Sequence, residues 1–333
     1  MKMYSPPFSI TNEMVSLISE ISDKLGRISN YKDFESKPHL RRNNRIKSIH
    51  SSLAIEANSL SMDEVRAVVN GKTVIGSRKE IQEVKNAYSA YEQIGSFDPY
   101  SIEELKRLHG ILTKFIVDES GTFRHGEEGV FDGDECIFMA PPAHLVPQLM
   151  DDLFSWMQNE KASIHPLILS SVFHYEFVFI HPFADGNGRM ARLWQTALLS
   201  MWKPVFKYLP IESHIYKFQT DYYNAISKCH VAGNSDAFIV FMLTMINSTL
   251  DELMQQAASS NSGISEQVKR LLSVMEYGEA YTAKRIMELL CLKSKEALRK
   301  NYLNPAIKDG LVIMSEPDKP TSRNQTYIKQ ELY

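Results

Sequence analysis

Residues 181–192, His181-Pro182-Phe183-Ala184-Asp185-Gly186-Asn187-Gly188-Arg189-Met190-Ala191-Arg192, constrain the fold of this chain more than any other stretch. Gly186, Asn187 and Gly188 permit backbone dihedrals closed to most residues and let a ligand approach the main chain. The run from Arg189 to Trp202 is rich in Leu, Ala, Met and Arg and reads as a helix. A glycine-flanked turn opening a helix presents unpaired N–H groups and the positive end of the dipole, which together make an anion site. Arg189 and Arg192, at i and i+3, share one helical face and can both reach phosphate oxygens. Asp185 is a hard oxygen ligand suited to Mg²⁺. His181, just outside the loop, can accept a proton from an attacking hydroxyl near neutral pH. These parts suit transfer of a phosphate-containing group.

The 333 residues are enough for two or three domains, and 44% hydrophobic with 23% charged residues is ordinary for a globular chain. A net charge of −3 argues against a chain-wide nucleic-acid or membrane footprint. Cys136, Cys229 and Cys291 are far apart and odd in number, which speaks against a disulfide framework or a zinc site. The N-terminal Met1-Lys-Met-Tyr-Ser-Pro-Pro lacks the apolar core of a signal peptide. The longest apolar run, Ala237 to Ile246, is too short to span a bilayer. A cytoplasmic location with no membrane partner is the expectation.

Most of residues 10–255 read as helices separated by short polar breaks. Leu53, Ile55, Leu60, Val65 and Val68/Val69 recur at helical spacing, with Ser61 as an N-cap. Residues 80–94 and 101–117 read as amphipathic helices, the second opening with a capping box of Ser101 and Glu104. Residues 127–140 differ: Val130-Phe131, Asp132-Gly133 and Cys136-Ile-Phe-Met139 predict a β-hairpin with an Asp-Gly turn. Pro141-Pro142 stops it. The small polar stretch 257–263 reads as a linker, and residues 264–333 as a separate unit.

The stretch His181–Arg192 matches every defined position of His-x-Phe-x-Asp/Glu-Gly-Asn-Gly-Arg-x-x-Arg, and in this the chain closely resembles the Fic (filamentation induced by cyclic AMP) family. Val172 to Ile180 resembles the family's buried helix leading into the catalytic loop, and the hairpin sits where the family carries its flap. An exposed hairpin edge could align a target segment by main-chain pairing. The resemblance implies transfer of AMP from ATP to a Ser, Thr or Tyr hydroxyl of a target protein, or of the chain itself. His181 is then the general base, and Asp185 holds Mg²⁺ or Mn²⁺ between the α- and β-phosphates. Asn187 and the N–H groups of Gly186–Gly188 cradle the phosphates with help from Arg189, and Arg192 orients the γ-phosphate. Phe183 is expected to be buried and to hold the loop's shape. His174 is expected to be a hydrogen-bonded core residue, and His50, His109 and His125 ordinary surface or half-buried ones.

Ser52-Leu-Ala-Ile-Glu56-Ala57-Asn58 places Ser52 and Glu56 at i and i+4 on one helix face. The segment resembles the Fic inhibitory motif Ser/Thr-x-x-x-Glu-Gly/Asn, whose glutamate pairs with the last arginine of the catalytic motif and blocks productive ATP binding. Here Ala57 stands where the family has Gly or Asn, with Asn58 one residue later, which leaves the helix end open.

The C-terminal unit reads as three short helices followed by a two-stranded wing, Leu311–Met314 and Gln325–Ile328, similar to the winged helix often appended to Fic domains. Lys295, Arg299 and Lys300 could contact DNA, but twelve Lys/Arg against nine Asp/Glu over 264–333 is a weak excess for phosphate neutralisation. A protein-binding or homo-oligomerising role stands beside DNA, which is not favoured. The expected fold is mainly α: an N-terminal helical region over 1–100 with the inhibitory helix at about 50–60, a Fic helical core with a β-hairpin flap over 101–256, the linker, and a winged helix. The leading function is an autoinhibited protein adenylyltransferase. De-AMPylation, transfer of UMP, phosphate or phosphocholine, and DNA-binding regulation are the alternatives.

Overall fold

A computed structural model describes residues 4–29, 38–132, 135–261, 265–317, 319–320 and 322–330. The chain divides into two compact units, residues 1–29 with 44–251, and residues 30–43 with 252–333. The fold is mainly helical, as expected.

In the larger unit the helices are α1 (Asn12–Ser29), the later turns of α2 (Pro38–Ile55), α3 (Met62–Val69), α4 (Arg78–Tyr91) and α5 (Ile102–Leu112). The hairpin β1 (Gly129–Asp132) and β2 (Glu135–Met139) follows, then α6 (Val146–Glu160), α7 (Pro166–Ile180), α8 (Asn187–Trp202), α9 (Ile211–Lys217), α10 (Gln219–Ala232) and, as far as residue 251, α11 (Asp236–Asn261). Ser61 caps α3 in a full capping box: its Oγ accepts from the Glu64 N–H, and the Glu64 carboxylate accepts from the Ser61 N–H. At α5 only half of the predicted box forms. Ser101 Oγ accepts from the Glu104 N–H, but the Glu104 carboxylate turns to Arg107 at i+3, and the helix stops at Leu112 rather than near 117. A charged partner on the same face outcompetes a single backbone N–H.

The hairpin pairs Gly129 with Met139 and Val130 with Phe138, then shifts register to pair Phe131 with Cys136 and Asp132 with Glu135. The predicted turn residue Gly133 lies outside the described residues. Helices α7 and α8 form the centre of this unit. Nearly every residue of α7 is buried, including Phe173 and Phe177, and Trp194 of α8 stacks on Phe97 while its indole N–H donates to the Pro99 carbonyl. Each fully buried side chain of this size contributes roughly 1.5–3 kcal/mol, so burial anchors the pair of helices that carries the 181–186 loop.

Helix α11 is longer than its apolar run suggests. A 20-residue window, Asp236–Gln255, has mean hydropathy 1.4 and is long and apolar enough to cross a membrane by length and composition. Its Phe238, Ile239, Met242, Leu243, Ile246 and Leu250 are instead buried in the protein core. The helix also runs on to Asn261, so residues 257–261 are its last turns rather than part of a linker. Two alanines and two serines, with no glycine before 263, do not stop a helix.

The smaller unit comprises α12 (Glu266–Val274), β3 (Ala280–Thr282), α13 (Ala283–Leu289), α14 (Lys295–Leu298), a π-turn (Arg299–Leu303), α15 (Asn304–Lys308), β4 (Val312–Met314) and β5 (Thr326–Lys329). The predicted two-stranded wing gains a third strand, in the order β3-β5-β4 and antiparallel throughout. Val268, Leu271, Ile286, Leu298, Leu303 and Val312 build its own core. Residues 38–43, assigned by sequence to the N-terminal region, belong to this unit. Arg42 Nη1 donates to both carboxylate oxygens of Glu276 at 3.1 Å.

Candidate functional site

Helix α7 ends at His181, whose backbone is left-handed (φ 52, ψ 60). The chain then loops through residues 182–186 and re-enters helix at Asn187, with Gly186 as N-cap at φ 85. A side chain at Gly186 would also press within 3.0 Å of Thr113, so both conformation and space demand glycine there. The Asn187 amide closes the loop: Oδ1 accepts from the Phe183 N–H at 3.0 Å, and Nδ2 donates to the Phe183 carbonyl at 2.6 Å. Asn187 is thereby a loop clamp, and its side chain is not free to cradle phosphate as the sequence reading had it. The backbone N–H groups at the start of α8 are the donors left to face an anion there.

Phe183 is buried, as expected, and lies flat against His109, with ring centroids 3.6 Å apart and planes at 4°. His109 is neither the surface nor the half-buried residue that the sequence suggests. It is fully buried; its Nδ1 accepts from the Gly121 N–H, so Nε2 carries the proton and donates to the Asp185 carbonyl at 2.9 Å. Burial lowers its pKa to about 4, so the ring stays neutral and holds the loop from beneath. Its place on the apolar face of α5, beside Leu105, Leu108 and Leu112, was the available signal. His174 is a core residue as expected, bonded to Gln195 Oε1 and Tyr222 OH.

The His181 imidazole faces the Val178 carbonyl through Nδ1 at 3.4 Å. A carbonyl only accepts, so Nδ1 bears the proton and Nε2 offers a lone pair. Burial lowers the pKa of His181, and the nearby Arg124 charge adds to it, outweighing the Val178 bond, Glu56 and Asp185. The ring is therefore neutral at pH 7 and able to take a proton.

Asp185 is half exposed. Its Oδ1 accepts from the Gly186 N–H and from Arg189 Nη2 at 2.7 Å. Burial opposes its charge, but the Arg189 charge and hydrogen bond, with the Gly186 N–H, hold the carboxyl below its ordinary value. Among the described residues no group of three or more His, Cys, Asp or Glu could hold a metal by itself. One partly exposed carboxylate beside the N-terminus of α8 would fit Mg²⁺ or Mn²⁺, which take few protein ligands and complete their shell with phosphate oxygens and water.

Arg189 is buried and already engaged on two sides, to Asp185 and through Nη1 to Glu83 Oε1 at 3.2 Å. The other Glu83 oxygen accepts from Asn58 Nδ2 at 2.8 Å. Glu83, unforeseen in the sequence, thus joins the turn after α2 to the catalytic-motif arginine. Ala57 in that turn is left-handed at φ 65, the conformation that Gly or Asn adopts without strain.

Arg192, also buried, donates through Nε to Ser52 Oγ (3.0 Å), and through Nη2 to the Ser52 carbonyl (2.9 Å) and Glu56 Oε1 (2.8 Å). Its Nη1 is buried without a hydrogen-bond partner among the described residues. Burial works against its charge, and Glu56 overcomes that and keeps the guanidinium firmly protonated. Ser52 and Glu56 therefore share one helix face as their spacing predicted and meet Arg192 as the family resemblance implied, and the half-exposed Glu56 carboxylate lies directly over Gly188 at the start of α8.

Fold and site together define a class of helical proteins in which a neutral imidazole stands beside a Gly-Asn-Gly loop and two buried arginines at the start of one central helix. The chain belongs to the Fic family. Residues 99–199 match the Fic/DOC family, and residues 266–328 match the C-terminal domain of Fic-like, filamentation-induced-by-cAMP proteins. A Fic family protein from Desulfovibrio desulfuricans G20, known from its crystal structure, is 41% identical, with 99% of each chain covered and a TM-score of 0.73. The protein adenylyltransferase Fic of Nematostella vectensis is 29% identical over 258 residues, 73% of this chain and 56% of that protein. The corresponding Caenorhabditis elegans protein is 28% identical over 200 residues, 56% of this chain and 36% of its own length. The chain thus spans about half or less of the length of the curated relatives it matches.

Proposed function

We propose that the chain is a protein adenylyltransferase, moving AMP from ATP to a Ser, Thr or Tyr hydroxyl of a protein and held in check by Glu56. The observation that carries this reading is the grip of Ser52 and Glu56 on Arg192 beside an otherwise complete anion loop. The names of the curated relatives support the same chemistry.

In this reading His181 Nε2 takes the proton of the incoming hydroxyl. The hydroxyl oxygen forms a bond to the α-phosphorus, and the bond from that phosphorus to the bridging oxygen breaks. Pyrophosphate leaves with the electron pair. The N–H groups at the start of α8 hold phosphate oxygens as charge builds there. Asp185 would hold Mg²⁺ or Mn²⁺, which supplies positive charge to the phosphates. Arg192 is the cation for the γ-phosphate, and Glu56 competes with that phosphate for it.

Incubation with ATP labelled on the α-phosphate tests the reading. Label should become covalently attached to protein, weakly with the wild-type chain and strongly with Glu56→Gly. Label from the γ-phosphate, or none from either protein with this chain or a lysate as acceptor, would overturn it.

A further inference from the structure

Arg124 lies outside every motif discussed above and is almost fully buried, yet it donates to main-chain carbonyls alone. Its Nε donates to the His181 carbonyl at 2.7 Å and its Nη2 to that of Ile180 at 3.4 Å. Its Nη1 donates to the Gly126 carbonyl at 2.8 Å, and Nη2 also to Pro141 at 2.5 Å. Its backbone N–H donates to Pro182 at 2.9 Å. Gly126 and Pro141 bracket the hairpin, while residues 180–182 are the end of α7 and the start of the catalytic loop. One planar guanidinium therefore joins both feet of the hairpin to the backbone of His181.

A second tie lies further along the hairpin. Phe138 of β2 stacks on His230, with centroids 4.1 Å apart and planes at 19°, and packs against Phe179 at 5.4 Å. Phe179 is two residues before His181. The hairpin is thus fixed at its base and along its second strand to the same last turn of α7.

We propose that Arg124, assisted by Phe138, is a positioning residue that sets the hairpin edge relative to the His181 imidazole and so determines how a protein's hydroxyl is delivered to it. The physical reason is the shape of the guanidinium. Its five donors lie in one plane in a fixed fork, so carbonyls on opposite sides cannot drift independently. The fork also satisfies the last carbonyls of α7, which a left-handed His181 leaves without helical partners. A lysine keeps the charge but offers one ammonium on a flexible stem, which cannot hold both sides in register.

The inference rests on the adenylyltransferase reading, and its test separates the two. The enzyme is the Glu56→Gly chain, and the acceptor is a second copy carrying His181→Ala, which cannot transfer by itself. Adding Arg124→Lys should raise the KM for the acceptor at least tenfold, with ATP affinity by calorimetry unchanged within twofold. Adding Phe138→Ala instead should raise the same KM with ATP affinity again unchanged. A residue that merely stabilises the fold would lower the active fraction and kcat, leaving KM alone, and that result in both variants overturns the proposal. Amide hydrogen exchange adds a readout that needs no turnover: in Arg124→Lys the β1 and β2 amides should exchange at least tenfold faster while those within α8 do not change. Unchanged hairpin exchange overturns the inference even if no transfer is ever seen, whereas absent transfer by Glu56→Gly bears only on the adenylyltransferase reading.

Discussion

Glu56 occupies the space that a side chain at Gly188 would need: a Cβ there would sit 2.2 Å from Glu56 Oε1 and 3.1 Å from Arg192 Nη1. The Glu56 carboxylate and the glycine of the loop are fitted to one another. The clasp therefore covers the backbone at the start of α8 as well as pairing with Arg192.

Removing the clasp should activate the protein. A charge pair with one buried and one half-exposed member is worth about 1.5–3 kcal/mol once solvent screening is allowed for, so Glu56→Gly should raise auto-AMPylation roughly tenfold to 100-fold. Ser52→Ala removes one hydrogen bond from the charged Arg192 guanidinium, worth about 1.5 kcal/mol, and should activate up to about tenfold. Gly188→Ala also displaces Glu56, but it places a methyl in the anion site and should not activate. Initial rates with labelled ATP would show this order, and an active Gly188→Ala would contradict the geometry.

His181→Ala should cut transfer about 10²–10⁴-fold while ATP still binds, since only proton abstraction is lost. The pKa of His181 is lowered, so the neutral base persists below pH 6.5, the ordinary histidine value. In the Glu56→Gly background the rate should stay level from pH 8 to 6.5 and fall only at lower pH. A fall already complete at pH 6.5 would place the limiting base elsewhere.

Asp185→Asn should weaken the dependence of ATP affinity on Mg²⁺ or Mn²⁺, because one charged oxygen ligand is replaced by a neutral amide. The variant also loses half of the hold on Arg189. Calorimetry with and without metal reads the effect directly. Identical metal dependence in variant and wild type would remove Asp185 from the metal site.

Ala57→Gly should tighten inhibition. The left-handed backbone costs an alanine about 1 kcal/mol more than a glycine, and that strain sits in the turn held by Asn58 and Glu83. Basal transfer should fall up to about fivefold and the melting temperature should rise by a few degrees. A rise in basal transfer would mean that the turn does not hold the clasp.

Acid should loosen the catalytic loop. The folded pKa of His109, about 4, lies below its unfolded value near 6.5, so the unfolded chain takes up the proton first. The stability from this group is complete above pH 6.5 and is lost progressively down to about pH 4, on the order of 3 kcal/mol. His174, lowered to about 3, acts in the same direction. Melting curves should show a smaller decrease between pH 7 and 4 for His109→Gln than for wild type, and equal decreases would contradict the buried neutral ring.

The loop, the helix that follows it, the hairpin and the wing were legible in the sequence because each depends on residues close together in the chain. A Gly-Asn-Gly turn, a Ser/Glu pair on one helix face and two short apolar runs in close succession all act through neighbours within a few positions. The Ser52–Glu56 pair could be paired with Arg192 only through family resemblance, since 136 residues separate Glu56 from its partner. Tertiary structure alone decided the rest. It buried His109 under the loop, turned the Asn187 amide inward, linked Asn58 to Arg189 through Glu83, and set Arg124 between the hairpin and His181. The physical reason is that an imidazole, an amide or a guanidinium has the same donors wherever it stands in a sequence. Its role is fixed by which carbonyls and carboxylates the fold brings within 3 Å and shields from water.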